Sequence, residues 1–115
     1  MLRGEIRFVD FGDGPAGDTA KKRIAVVVSN DGANFTAGRL GRGAVTVVPV
    51  TSHVERVHPF QVLVDAPSSG LERDSKAQVE QVRTVSVDRV GQVLGQVAAP
   101  LMLEIDDALR LHLAL

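Results

Sequence analysis

The chain predicts a mainly β (α+β) fold: a small, strongly curved, barrel-like sheet closed by one C-terminal helix. Three observations predict it. Apolar residues come in runs of strand length, alternating or continuous, separated by polar loops marked with glycine and proline. With four Phe and no Trp, Tyr or Cys, the core falls to Val, Leu and Ile, and abundant β-branched Val favours strands. After Pro100 the apolar period changes to a helical one. At 115 residues the chain makes a single domain, 1–115.

Glu5 to Phe11 alternates, with Ile6, Phe8 and Asp10 pointing one way and Arg7 and Val9 the other, which reads as the first strand. Gly12 to Lys22 reads as a loop because Gly12, Gly14, Pro15 and Gly17 break it. Arg23 to Val28 is a short, continuously apolar run and therefore a buried strand. Asp31 to Gly43, polar and glycine-rich, reads as a long excursion around Phe35 and Leu40. Ala44 to Val50 is a third strand, with Pro49 placing a nitrogen that cannot donate near its end. A polar loop from Thr51 to Pro59 leads to a fourth strand at Phe60 to Val64 and a turn at Pro67 to Gly70. Ser75 to Val82 and Thr84 to Val87 read as strand, and the stretch after them as short pieces split by Gly91 and Gly95. From Pro100, Met102, Ile105, Leu109 and Leu113 form a helical stripe. Leu103, Leu111 and Leu115 lie off it, and this second apolar side predicts either a partner subunit or a terminus that folds back.

Composition narrows the function. The net charge of −1 gives no overall field toward nucleic acid or membrane, so any anion binding must come from a local cluster. Without Cys there are no disulfides or thiolate metal sites. The N-terminus lacks the apolar core of a signal peptide, and no apolar run reaches membrane-spanning length. The expected compartment is the cytoplasm, and the acceptor motif Asn34-Phe35-Thr36 then carries no glycan. No cofactor is implied.

Three motifs tempt and are declined. "GDGPAG" (Gly12 to Gly17) spells the dinucleotide-binding pattern, but only Asp18 to Lys22 separate it from the next strand. A helix with its crossover needs about ten residues, so the glycines read as a flap. His53, Glu55 and His58 share one loop without a fourth donor and read as solvated, not as a metal site. Glu104, Asp106 and Asp107 occupy the polar part of the terminal helix.

One constellation carries chemistry. Lys21, Lys22 and Arg23 stand directly before five apolar residues. If the second and third strands pair antiparallel, the start of one lies beside the end of the other, and Arg23 comes alongside Thr51 and Ser52. A guanidinium next to a hydroxyl is a phosphate-recognition pair: it can grip two oxygens and never loses its charge. Such a pair could stabilise the pentavalent phosphorane formed when an RNA 2′-hydroxyl attacks the neighbouring phosphodiester. On pattern alone, a solvated strand end is the commoner meaning of Arg23, and the chain reads as a small β-rich domain.

The order of segments decides further. "RGEI–VDF", "R–AVVVSND–AN", "VTVVPVTS", "GLERDS–EQVRTV" and a terminal "ALRLHL" run from Arg3 to Leu115 in an order that resembles the MazF/PemK family of bacterial toxin endoribonucleases. The resemblance implies an SH3-like sheet, a homodimer, metal-independent cleavage of single-stranded RNA at short sequences, and silencing by a cognate antitoxin. It places Arg23 and Thr51 on the family's catalytic Arg and Thr. It assigns RNA binding to Asp18, where the family usually has Glu, to Asn30 and Asp31, and to Ser75, Glu80 and Gln81; Lys22 and Ser52 join them as neighbours of the pair in sequence. Two positions depart: Arg7 stands where an aromatic is common, and Ile24 where Pro follows the Arg. Base stacking then falls to Phe11, Phe35, Phe60 or Arg planes. Two other readings fit the same fold: a gyrase-inhibiting toxin of the CcdB type acting through the C-terminal helix, and a catalytically inactive antitoxin-binding dimer.

Overall fold

A computed structural model describes residues 1–12 and 22–115. Asp18 and Lys21, with the Gly14, Pro15 and Gly17 of the expected flap, lie outside the described residues. The elements are β1 (Glu5–Asp10), β2 (Lys22–Val27), α1 (Asp31–Leu40), β3 (Ala44–Thr51), β4 (Gln61–Val64), α2 (Ala66–Ser69), β5 (Ser75–Gln78), β6 (Arg83–Ser86), β7 (Val90–Gln96) and α3 (Ala99–Leu113). Short 3₁₀ turns at Val79–Gln81 and Val87–Arg89 follow β5 and β6.

The strands form one antiparallel sheet in the order β4-β5-β3-β2-β1-β7, with β6 beside the first half of β3. The mixed α+β class is as expected, but the sheet does not close into a barrel: among the described residues β4 pairs with β5 alone and β7 with β1 alone. Its centre is buried on both faces, which is why Ile24 to Val28 and Val47 to Val50 are continuously apolar. Val26, Val28, Val48 and Val50 pack on one side with Ile105 and Ala108 of α3. Ala25, Val27, Val45 and Val47 pack on the other with Val85, Val87 and Ala37 of α1. Burying a valine in this way stabilises by about 1.5–3 kcal/mol relative to exposure. β2 and β3 are therefore rigid bars.

Pro49 sits where β3 changes partners. β6 pairs with Ala44 to Val47 and β5 with Val50 and Thr51, so a residue without an N–H falls in the gap between them.

α1 corrects the expected excursion. Its apolar stripe is too short to read, since only Asn34 and Ala37 are buried. Its ends carry the signal instead: Asn30 caps the N-terminus by accepting from the Ala33 N–H, and Gly41 closes it at φ 66°. The Asn34 side chain is fully buried and donates to the Ser29 carbonyl, which removes it as a glycan acceptor. Likewise β7 is one strand, not pieces. Its glycines allow close approach: a Cβ on Gly91 would stand 3.3 Å from the Phe8 carbonyl oxygen.

α3 covers one sheet face through Ile105 and Ala108, and Leu103, Leu111, Leu113 and Leu115 remain exposed. Arg3 ties the helix to the sheet, donating to the Val28 carbonyl at 2.7 Å and to Asp106 at 2.6 Å. Arg7, the first departure, braces β1 against β7 by donating to Glu5 and to the Gly91 carbonyl. Partial burial of Glu5 opposes its charge. The Leu2 N–H and Arg7 outweigh that and hold its carboxyl below the usual range. No described helix is long and apolar enough to cross a membrane.

Candidate active site

The register of β2 on β3 builds the centre of the site. Ile24 pairs with Val50 and Ala25 with Pro49, so Arg23 falls opposite Thr51, one step further along. Two observations fix the type of that pair. Val28 donates to the Thr46 carbonyl at 2.9 Å, and Pro49 has no N–H to exchange with Ala25. Hydrogen-bonded pairs therefore include Ile24/Val50, and Arg23/Thr51 is of the non-bonded kind, whose side chains stand closer.

Both residues are half-buried and line a cleft of about 680 Å³. Arg23 reaches back to Gln78, donating from Nη2 to Oε1 at 2.6 Å. Among the described residues no carboxylate pairs with its guanidinium within 4 Å, and Glu72 is the one acid that lines the same cleft. Thr51 Oγ1 accepts from the His53 N–H at 3.3 Å, which leaves its O–H to donate into the cleft. Ile24, the second departure, lines the cleft and packs on the first core.

Ser52 and Ser75 line the same cleft. The Ser75 hydroxyl donates to the Arg73 carbonyl at 3.1 Å and so shapes the wall. Lys22 borders a neighbouring depression with Asp10 and Arg89. Phe8 lines both hollows and is 43% exposed. Sequence reading did not select Phe8 or Arg73, although both line the cleft. The period-two pattern was the available signal for Phe8: it shares a face with Ile6 but lies beyond the covered part of the sheet. The aromatics named instead lie elsewhere. Phe11 packs on the second core under Arg83, Phe60 stacks on His58, and Phe35 is exposed on α1.

Besides Lys22, four named candidates are not brought to the cleft within this chain. Glu80 and Gln81 lie on the turn after β5, where Glu80 accepts from the Gln61 amide at 2.8 Å and borders a hollow with Leu111 and His112. Asn30 caps α1, and Asp31 accepts from the Arg3 N–H at 2.6 Å. Both stand past the far end of β2, roughly 20 Å of strand from Arg23. Substituting Asn30→Ala should therefore cost about 1 kcal/mol of stability through the lost cap, with RNA cleavage at 25 °C unchanged. Urea denaturation and a cleavage time course check the two halves separately.

The family described as PemK-like, MazF-like toxin of type II toxin-antitoxin system matches residues 2–113. Endoribonuclease MazF9 of Mycobacterium tuberculosis is 50% identical over 115 residues, covering all of this chain and 98% of that protein. Endoribonuclease EndoA of Bacillus subtilis is 30% identical over 116 residues, covering all of this chain and 96% of its own. Among solved structures, an endoribonuclease in complex with its cognate antitoxin from a mycobacterial species superposes with a TM-score of 0.78 at 27% identity, covering all of this chain and 96% of that one. With a match across nearly its whole length and relatives at this identity, the chain belongs to the PemK-like, MazF-like toxin family of type II toxin–antitoxin systems.

Proposed function

We propose that the chain is a sequence-selective endoribonuclease that cleaves single-stranded RNA without a metal ion, the toxin of a toxin–antitoxin pair working in the cytoplasm. The observation that carries this reading is the meeting of Arg23 and Thr51 on adjacent strands at one cleft. The chemistry follows from what those groups can do. The substrate's own 2′-hydroxyl attacks the adjacent phosphorus in line, forming the 2′-O–P bond as the P–O5′ bond breaks. Arg23 stabilises the charge that builds on the phosphorane, as a divalent cation would, and Thr51 donates to a non-bridging oxygen. The 2′ proton leaves to solvent and the departing 5′ oxygen regains one from it; among the described residues no His lines the cleft, and Glu72 is its one carboxylate. The products are a 2′,3′-cyclic phosphate and a 5′-hydroxyl.

A neutral overall charge is compatible with this, because contact with a few phosphates needs only local cations, here Lys22, Arg23 and Arg73. The exposed leucines of α3 support a homodimer and a docking surface for the antitoxin. The test is direct. Purified protein with EDTA should cut a long single-stranded RNA at a recurring short sequence and leave cyclic-phosphate ends. Thr51→Ala should slow cleavage by about tenfold or more. Intact RNA under all conditions, with or without divalent cations, would overturn the nuclease reading.

A further inference from the structure

We propose that Gln78 is a positioning residue for Arg23, a neutral acceptor that fixes the guanidinium plane and leaves its charge for the phosphate. The inference rests on the reading of the cleft as a nuclease site.

Register places Gln78 for this role. Val50 pairs with Ala77 and Thr51 with Lys76, so Gln78 lies level with Pro49 and shares a face with Thr51 and Arg23. β3 lies between β2 and β5, so the two backbones stand about 10 Å apart. Only two long side chains can bridge that span, and here they do: Nη2 of Arg23 donates to Oε1 of Gln78 at 2.6 Å. Gln78 is not among the residues lining the cleft, so it reaches substrate only through Arg23.

The chemistry of the acceptor matters as much as its position. A carboxylate here would also orient the guanidinium, but it would cancel positive potential where the transition state gathers negative charge. An amide carbonyl supplies the same directional acceptor without a net charge. Among the described residues one of the five guanidinium N–H groups is used, and the other four are enough for a two-oxygen contact with phosphate. The neighbouring β5 residue on this face, Lys76, is likewise no acid; its buried ammonium donates to the Arg56 carbonyl at 2.6 Å and holds the β3–β4 loop.

Steady-state cleavage of a defined single-stranded RNA by Gln78→Leu, Gln78→Asn and Gln78→Glu tests this, with Arg23→Ala alongside. Gln78→Leu removes the acceptor and Gln78→Asn shortens its reach. Both should lower kcat about tenfold with KM within about twofold of wild type, because the misplaced guanidinium still binds phosphate but no longer meets the transition state. Gln78→Glu keeps the acceptor and adds charge, so it should raise KM as well as lower kcat. On an Arg23→Lys background, Gln78→Leu should change kcat by less than about twofold, since the group it orients is gone. Should Gln78→Leu melt early, Gln78→Met is read in its place. Wild-type kcat in Gln78→Leu beside an inactive Arg23→Ala overturns the positioning role while the nuclease reading stands. A full tenfold loss that persists with Lys at position 23 also overturns it. Wild-type activity in Arg23→Ala instead sinks the reading of this cleft as the nuclease site.

Discussion

Arg23→Ala is expected to lower the rate of RNA cleavage by about 10²–10³-fold, the usual effect of deleting one preorganised electrostatic donor. The size follows from where the side chain sits. Its strand is clamped between two buried faces, its guanidinium is held by Gln78, and the cleft excludes part of the solvent. A charge fixed in that way needs no reorganisation as the phosphorane forms, so most of its interaction is realised only in the transition state. Folding should be nearly untouched. Arg23 is half-buried at a strand start, and its loss leaves only a neutral amide to be rehydrated. Arg23→Lys should fall between the two, since an ammonium keeps the charge and loses the planar fork. Quenched-flow or gel-based rates at matched protein folding, judged by thermal melts, measure all three. A melt lowered in step with the rate would mean that Arg23 holds the strand, not the phosphate.

What the sequence disclosed and what it hid have a common cause. β1, β2, β3, β4 and α3 announced themselves because each carries its own period over enough residues. The adjacency of Arg23 and Thr51 needed just one more step, that consecutive strands pair antiparallel. Phe8, Arg73 and Gln78 were hidden because β1, the segment after α2, and β5 are brought to the cleft by register between distant segments. α1 was hidden for another reason: its interior is weakly apolar, and Asn30 and Gly41 at its ends carry most of the information. Arg7 and Ile24, read from the sequence as departures from the resembled pattern, are a brace between strands and a wall of the cleft.

Gly95→Ala should destabilise the fold by about 2–3 kcal/mol, the range for forcing a methyl into a closed space, and lower the melting temperature by about 10 °C. β7 passes so close to α2 that a Cβ on Gly95 would overlap the Ser69 carbonyl oxygen and stand 3.2 Å from its carbon. The obstruction is backbone, so no side chain can swing aside. α2 is also poorly placed to yield: Asp65 caps it through the Ser68 N–H, Asp74 accepts from the Ala66 N–H at 2.7 Å, and the Ser69 hydroxyl donates to the Asp65 carbonyl at 2.8 Å. Any accommodation must shift the segment that follows, where Gly70, Leu71 and Arg73 form one wall of the cleft. Catalysis should therefore fall with stability, at a site well away from the reacting groups. Two other glycines supply the contrast. Gly91→Ala meets the Phe8 carbonyl at 3.3 Å and should cost less, whereas Gly38→Ala meets nothing within 4 Å in the middle of exposed α1. The latter should stabilise by about 0.5–1 kcal/mol, as removing a helix-interior glycine does. Equal melting temperatures for the three variants would mean that β7 and α2 are not packed as closely as drawn, and the wall they make for the cleft would have to be placed differently.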